Sequence, residues 1–373
     1  MSIEIGRSQA YSMDSTVAFR AALRLSLAAI ALWTCPAGAS TLKSDEEVVL
    51  FSALATRGSG VWKFEVHGIV YEPGQHRLMT RALRRFLGID EEDLTADEKR
   101  IFTERSRYFL FDNERGKKFA ASIGGEEFRL GSSDPNGHFR GPVLLKTNTL
   151  QTNAANGMVA FQVSMDPSTK RTFPLEVHLV EETGWSVISD IDDTIKISEV
   201  RNKDALLKNT FCRPFKAVPG MSGVYGEWAS LRGAQFHYVT ASPWQLYLPL
   251  SEFTRSNGFP AGTFHMKQFR AKDTSVFSLF TSPERYKPGV IEPLLRQFPK
   301  RRFVLVGDSG EKDPEIYGAL ARKFPTQIHR IYIRDVTAED AKAARYLRAL
   351  EGVRREVWSI FKEPKEIDGG LAD

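Results

Sequence analysis

The sequence predicts an α/β fold: a parallel sheet with helices on both faces, preceded by a smaller β-rich, sandwich-like domain. The 373 residues are 42% hydrophobic and 26% charged, which is typical of a globular protein of about two domains. Up to about residue 183, strand patterns alternate apolar and polar residues. Beyond that point, fully apolar strands alternate with helical stretches, which indicates a parallel sheet.

Composition and charge exclude several classes of protein. Two cysteines, Cys35 and Cys212, are too few for a disulfide scaffold or a cysteine zinc site. The net charge of +5 is mild, so we expect no nucleic-acid partner. Residues 40–182 contain 19 Lys+Arg and 21 Asp+Glu. Residues 183–373 contain 29 Lys+Arg and 23 Asp+Glu. The positive charge therefore belongs to the second half, where it favours an anionic substrate.

The first 39 residues are interpreted as a signal peptide. Two arginines precede a nine-residue apolar run at 25–33, and small residues follow it. Spanning a bilayer takes about 20 residues, so we expect no transmembrane helix in the mature chain. The true start is either Met1 or Met13. Cleavage after Ala39 would give an exported protein, either secreted or located in a bacterial periplasm.

The predicted first domain spans residues 40–182 and contains strand patterns at 61–68, 128–130, 143–145 and 175–179. A helical insertion at about 79–86 and 95–109 interrupts the strands. It carries five arginines: Arg81, Arg84, Arg85, Arg105 and Arg107. A basic helix can contact anionic lipid, which would be a peripheral membrane contact. Five acidic residues between the arginines favour the alternative, a solvated and salt-bridged surface.

The predicted second domain spans residues 183–373 and contains apolar strands at 185–189, 236–239, 303–306 and 328–333. We expect its last helix to open at Thr337 in a capping box with Asp340. Ligands bind at the carboxyl ends of strands in parallel sheets, so candidate site residues are sought there.

Carboxylates follow two of these strands. Asp190 and Asp192 share one face of an extended chain, and their mutual repulsion is relieved by a hard cation such as Mg²⁺. Asp308 follows the strand at 303–306, after Gly307, which would let the backbone approach a ligand. Asp313 is either a further ligand or the cap of a helix.

Phosphate-binding groups follow at other strand and helix ends. Thr240 directly follows the strand at 236–239, and Ser242 is two residues later. Lys287 precedes a helix expected from about Gly289. A helix start favours anions, so a lysine there is explained by a phosphate ligand.

These motifs together resemble the four-motif signature of the haloacid-dehalogenase phosphatase superfamily. The longer strings resemble the catalytic family of actin-patch-associated phosphatidate phosphatases; they lie at 188–196, 237–244, 307–317 and 331–336. The resemblance covers about 183–337 and implies a haloacid-dehalogenase-like Rossmannoid sheet.

The resemblance also implies residue roles. Asp190 would be the nucleophile, and Asp192 would be the general acid and base. Mg²⁺ would be held by Asp190, the backbone carbonyl of Asp192, Asp308 and Asp313. Thr240 or Ser242, together with Lys287, would bind the phosphoryl oxygens.

The implied activity is a phosphomonoester hydrolase acting on a lipid phosphate, such as phosphatidate, to give diacylglycerol. Two alternatives remain: a phosphatase for a soluble phosphoester, and an exported binding protein on an inactive phosphatase fold. Aromatic residues after Thr240 would either line an acyl-chain surface or face the core: Trp244, Tyr247, Phe253, Phe259, Phe264, Phe269, Phe277 and Phe280.

Overall fold

The computed structural model describes residues 40–74, 77–146, 157–166, 168–268, 283–367 and 371. The predicted signal peptide lies outside these residues. Within them, no helix is long and apolar enough to cross a bilayer. The described chain contains two sheets, and the predicted fold class is confirmed.

Nine strands form the first sheet: β1 Glu47–Leu50, β2 Ala53–Gly58, β3 Val61–Glu72, β4 Asp112–Asn113, β5 Lys118–Ile123, β6 Glu126–Ser132, β7 His138–Lys146, β8 Met158–Ser164 and β9 Thr172–Val180. The order is β1-β3-β2-β9-β8-β5-β6, and β4 and β7 also pair with β3. Alternate residues of β3, namely Trp62, Phe64 and Val66, are buried in a core shared with β5, β7 and β9. This alternation is the pattern that predicted the strand.

The helical insertion lies between β3 and β4. Its helices are α1 Arg77–Phe86 and α2 Ala96–Ser106, followed by a 3₁₀ turn at Arg107–Phe109. Thr95 caps α2 in a capping box with Glu98. Both helices occur where the sequence predicts them.

The second sheet contains six parallel strands: β10 Thr183–Ser189, β11 Gln235–Pro243, β12 Gly262–Lys267, β13 Lys300–Asp308, β14 Ile328–Arg334 and β15 Trp358–Phe361. Its order is β12-β11-β10-β13-β14-β15. Counted from β10, this is the 3-2-1-4-5-6 order of doubly wound folds. The strand order reverses between β10 and β13, so a ligand crevice is expected there.

Six described helices belong to this second half: α3 Lys203–Phe211, α4 Met221–Arg232, α5 Tyr247–Ser256, α6 Pro283–Gln297, α7 Asp313–Lys323 and α8 Ala344–Ala349. The helices α4 and α5 pack on one face of the parallel sheet, and α6, α7 and α8 pack on the other. The helix α3 packs instead against the helical insertion, where Leu207 and Phe211 share a core with Phe102.

The predicted helix start at Thr337 is wrong. The helix α8 begins at Ala344 and has no side-chain cap. The Thr337 hydroxyl instead donates to Asp335 Oδ1 at 3.1 Å and Glu339 Oε2 at 2.9 Å, which holds a loop. Local hydrogen bonds of this kind compete with helix capping.

The two sheets contact each other through the segment after β1. Phe51 packs against Trp244 and Tyr247, with ring centroids 4.2 and 4.9 Å apart. The Ser52 Oγ accepts the Phe264 N–H of β12 at 3.1 Å, and the Ser52 N–H donates to the Tyr247 hydroxyl at 3.0 Å. Within the described residues, the aromatic residues after Thr240 thus belong to the core and the contact between sheets. Phe269, Phe277 and Phe280 lie outside the described residues.

Candidate active site

Three buried carboxylates meet where the strand order reverses. Asp190 directly follows β10, Asp308 ends β13 and Asp313 opens α7. One oxygen from each lies within 4.8 Å of the others. Parallel strands end at the same edge of a sheet, which is why residues more than 100 positions apart meet here.

Lys287 connects these carboxylates. Its Nζ lies 3.0 Å from Asp190 Oδ1, 2.5 Å from Asp313 Oδ1 and 3.0 Å from Glu311 Oε2. Burial alone lowers the pKa of Lys287, but the three carboxylates raise its pKa well above the ordinary value. The lysine is therefore a fixed cation at the edge of the site.

The predicted position of Lys287 before a helix is wrong. The helix α6 begins at Pro283 and continues past Pro288, so Lys287 lies inside the helix and not before it. Its function in the site comes from the direction of its side chain toward β10 and α7. The helix dipole at the α6 start is not involved.

Negative charge exceeds positive charge at this edge of the sheet. Burial raises the pKa of Asp190 well above its usual value, and Lys287 only partly offsets the effect. Burial also raises the pKa of Asp308 well above its usual value, and Asp313 and Asp190 add to the shift. Four carboxylates, those of Asp190, Asp308, Glu311 and Asp313, share one lysine. A bound cation would stabilise their ionised forms.

Asp308 leaves one oxygen available to a metal. Its Oδ1 accepts the N–H groups of Gly310 at 2.6 Å and Glu311 at 3.2 Å. Its Oδ2 is buried and has no hydrogen-bond partner in the described chain. Buried polar atoms are normally paired, so this oxygen is a candidate ligand atom. The all-carboxylate donor set fits a hard cation such as Mg²⁺.

Asp313 is not a helix cap. Lys312 occupies the cap position without a side-chain cap bond, and Asp313 Oδ2 accepts the Asp308 N–H at 3.2 Å. A Cβ atom on Gly307 would lie 2.2 Å from this Oδ2. Gly307 therefore makes room for the Asp313 carboxylate, whereas the sequence suggested that it makes room for a ligand.

The Asp192 side chain has a separate set of partners. Its Oδ1 lies 2.7 Å from Lys196 Nζ and accepts the Ser198 hydroxyl at 2.6 Å. Its Oδ2 accepts the Thr240 and Ser242 hydroxyls, each at 3.2 Å. Burial raises the pKa of Asp192, but Lys196 and the hydrogen bonds lower its pKa below the usual value. In this arrangement Asp192 is a carboxylate, the form of a general base.

Thr240 and Ser242 both reach Asp192, but they differ in access. A small cavity of about 90 Å³, enough for several water molecules, is lined by Ser242 together with Asp192 and Glu311. Thr240 does not line this cavity, and its hydroxyl oxygen accepts the Ser242 N–H at 3.0 Å. Ser242 is thus the better placed of the two to meet a ligand.

Three residues of the site were not predicted: Lys196, Ser198 and Glu311. Lys196 is buried, pairs with Asp192 and lies 5.0 Å from the Phe215 ring centroid. Its apolar flanks, Ile195 and Ile197, are a sequence signal for a buried lysine that the prediction did not use. No sequence signal distinguishes Glu311 from a solvated acid.

Asp193 has a structural function in the loop after Asp192. Its φ of 54° lies in the left-handed region, which Asp tolerates better than most residues. Its carboxylate accepts the N–H groups of Ser198, Glu199 and Val200 at 2.7 to 2.8 Å. These bonds fix the loop that brings Lys196 and Ser198 to Asp192.

Comparison with known proteins identifies one family over this site. Residues 185–335 match the family model described as "Phosphatidate phosphatase APP1, catalytic domain". Phosphatidate phosphatase APP1 of Saccharomyces cerevisiae is 37% identical over 172 residues, which cover 45% of this chain and 28% of the relative. An uncharacterized protein of Schizosaccharomyces pombe is 29% identical over 185 residues, which cover 48% of this chain and 30% of that relative. The chain therefore spans under a third of the length of these relatives.

The alignment with a solved flavohemoglobin from Malassezia yamatoensis, with bound FAD and heme, covers 77% of this chain and 60% of the flavohemoglobin chain. Its TM-score is 0.20 and its identity is 8%, values at which no common fold is inferred.

The predicted location is contradicted. The matching relatives come from two yeasts, so they give no support to export into a bacterial periplasm. The signal-peptide pattern rests on a nine-residue apolar run, two arginines before it and small residues after it. Such a short pattern carries little information on its own.

The predicted enzyme class is confirmed for the segment that carries the site. The matched residues include Asp190, Asp192, Thr240, Ser242, Lys287, Asp308 and Asp313. Residues 185–335 are thus similar to the catalytic domain of a phosphoric monoester hydrolase, the phosphatidate phosphatase family.

Proposed function

We propose that residues 183–373 form a Mg²⁺-dependent phosphatase of the haloacid-dehalogenase type, which cleaves a phosphate monoester through an aspartyl-phosphate on Asp190. The observation that carries the proposal is the meeting of Asp190, Asp308 and Asp313 within 4.8 Å, beside Lys287. Mg²⁺ bound by these three carboxylates would supply charge stabilisation for the transferring phosphoryl group.

In the first step, an oxygen of Asp190 attacks phosphorus and the bond from phosphorus to the ester oxygen breaks. The leaving alkoxide takes a proton from Asp192. Lys287, 3.0 Å from Asp190, stabilises the negative charge on the phosphoryl oxygens. Ser242, on the cavity wall, donates a hydrogen bond to one of these oxygens.

In the second step, water attacks phosphorus, Asp192 accepts its proton, and inorganic phosphate leaves Asp190. The contacts of Asp192 with Lys196 and Ser198 favour its ionised form and thus support this step. The first step requires the protonated form. As the entering substrate replaces the Lys196 contact with one to the leaving oxygen, Asp192 takes up a proton from solvent, which it then gives to the leaving alkoxide.

We propose phosphatidate as the substrate. The support is the similarity of residues 185–335 to the phosphatidate phosphatase catalytic domain. The product pair would then be diacylglycerol and inorganic phosphate.

The catalytic proposal is tested with Asp190→Asn. We expect the variant to lose about a thousandfold or more of the Mg²⁺-dependent hydrolysis of p-nitrophenyl phosphate, because the amide is no nucleophile. The matched control is Asp204→Asn, an exposed aspartate of α3, which should retain wild-type activity. Full activity of Asp190→Asn would show that the nucleophile is another residue.

The metal site is tested separately with Asp308→Asn. Isothermal titration should detect Mg²⁺ binding to the wild type and a loss of about tenfold or more in affinity for the variant. Unchanged Mg²⁺ affinity would remove Asp308 from the metal site.

The substrate is tested by comparing phosphatidate in detergent micelles with soluble phosphomonoesters. We expect a higher kcat/KM for phosphatidate. Equal or higher values for soluble esters would favour the soluble-substrate alternative and leave the catalytic proposal in place.

A further inference from the structure

The helix α1 has an exposed surface that the site does not explain. None of the described side chains of its ten residues is buried, and the helix carries four arginines and no acid. Leu78, Met79 and Phe86 are 79%, 50% and 49% exposed. Large apolar side chains exposed together beside arginines are typical of helices that lie in a membrane interface.

Three of the four arginines share one face of this helix. Arg77, Arg81 and Arg84 are spaced four and three residues apart and therefore lie side by side. They line a cavity of about 470 Å³ between α1 and α2. Its other polar walls are Thr80, Glu91, Lys99, Thr103 and Arg107. A cavity with five cations and one carboxylate suits an anionic phosphate group.

Acidic neighbours do not neutralise this face. Glu91 forms an ion pair with Arg84. Two other acids pair with cations outside this face: Asp93 Oδ2 lies 3.6 Å from Lys208 Nζ, and Glu98 Oε1 lies 2.9 Å from Arg213 Nε. Arg77 and Arg81 form no salt bridge within the part of the chain that the structure describes. Of the arginines for which a salt-bridged surface was predicted, Arg84 forms an ion pair and Arg81, on the same face, forms none within the described residues.

The insertion is joined to the candidate active site. Arg105 of α2 donates to the Thr210 carbonyl of α3 at 2.6 Å. Leu206 of α3 lines the 90 Å³ cavity with Asp192 and Ser242. One wall of the catalytic cavity therefore packs directly on the element that carries the basic and apolar surface.

We propose that α1 and α2 form a docking element for an anionic phospholipid bilayer. Leu78, Met79 and Phe86 enter the headgroup region, and the cavity lined by Arg77 and Arg81 takes the phosphate of a lipid headgroup. The binding step is independent of catalysis. Its consequence, delivery of a lipid substrate to the adjacent site, rests on the proposed function.

The test measures sedimentation of the full chain with vesicles of equimolar phosphatidylcholine and phosphatidylserine. Phosphatidylserine is a phosphodiester, so its binding requires no turnover by a monoester hydrolase. We expect Arg77→Gln/Arg81→Gln and, separately, Leu78→Ser/Phe86→Ser to weaken binding about tenfold or more. The matched control, Leu347→Ser/Arg348→Gln on α8, changes one exposed leucine and one exposed arginine and should bind as the wild type does.

Wild-type binding by both double variants would overturn the proposal. So would equal binding of the wild type to vesicles of phosphatidylcholine alone. A third arm measures inorganic phosphate binding by titration. If the arginine variant weakens phosphate binding and leaves vesicle binding intact, the cavity is a site for soluble phosphate, and the proposal that it takes a lipid headgroup is refuted.

Hydrolysis of p-nitrophenyl phosphate separates this proposal from the catalytic one. We expect the docking variants to retain wild-type hydrolysis of this soluble ester and to lose hydrolysis of phosphatidate in vesicles. Vesicle binding without any phosphatase activity would support docking and refute the proposed function.

Discussion

At the scale of single residues, the Asp313 carboxylate occupies the space that a side chain at position 307 would need. Gly307→Ala would place a Cβ atom 2.2 Å from Asp313 Oδ2 and 2.7 Å from its Cγ. We expect a loss of about 1–3 kcal/mol in the free energy of unfolding, because the carboxylate is fully buried and has no room to move away. We also expect weaker Mg²⁺ binding, since Asp313 shifts. Urea unfolding and Mg²⁺ titration measure the two effects.

The control for this variant is Gly226→Ala in α4. A Cβ atom there meets nothing within 4 Å, and alanine favours helix, so the free energy of unfolding should stay equal or rise. The same stability for Gly307→Ala and the wild type would contradict the close contact with Asp313.

Residues of the site were predictable where the fold itself aligns them. Asp190 and Asp308 stand at the ends of apolar strands, and parallel strands must bring such ends together. Lys196 and Ser198 reach Asp192 through a loop shaped by the left-handed backbone of Asp193, which no periodicity reveals. Glu311 differs from a surface acid only because Lys287 reaches it from another helix.

At the scale of elements, the helix α3 forms a wall of the catalytic cavity and begins with a side-chain cap. Asn202 Oδ1 accepts the Ala205 N–H at 3.2 Å. Asn202→Ala should lower the free energy of unfolding by about 1 kcal/mol and speed amide hydrogen exchange in the first turn of α3. Asn202→Asp keeps an acceptor and should behave as the wild type. Unchanged exchange rates in the alanine variant would show that the cap does not hold α3.

The predictions of secondary structure that are wrong concern where helices begin. Proline at 288 suggested a helix start just after Lys287, yet α6 begins at Pro283 and continues through two internal prolines. Proline disfavours but does not exclude such a continuation, because packing of Ile291, Leu294 and Leu295 on the sheet stabilises the helix. Strand positions were easier, because their apolar runs are set by burial on both faces.

At the scale of the whole molecule, neutral histidines lie in both sheets and between them. Burial lowers the pKa values of His138, His178 and His265 to about 4. The His67 Nε2 and His138 Nδ1 atoms lie 3.0 Å apart, and both rings lie beside Phe51 at the contact between the sheets.

These histidines predict loss of stability in acid. Between the unfolded pKa of about 6.5 and the folded value of about 4, the unfolded state binds more protons. Above about pH 6.5 the neutral histidines do not reduce the free energy of unfolding. As the pH falls toward about 4, each of them lowers the free energy of unfolding by up to about 3 kcal/mol. Urea unfolding across this range should show a smaller loss for His178→Leu than for the wild type. Parallel curves would contradict a neutral buried His178.

The hydrogen bond from Phe264 to Ser52 has a consequence for dissecting this protein. The strand β12 is the edge of the parallel sheet, and an uncovered edge invites pairing with other chains. Ser52 and the rings of Phe51 and Tyr247 cover part of it. Cutting the chain between Val180 and Thr183 would remove Ser52 and Phe51, free the Phe264 N–H and leave the rings of Trp244 and Tyr247 without their Phe51 contact. We therefore expect the second half alone to self-associate more than the full chain, so the β-rich half would have a role in solubility that is separate from catalysis.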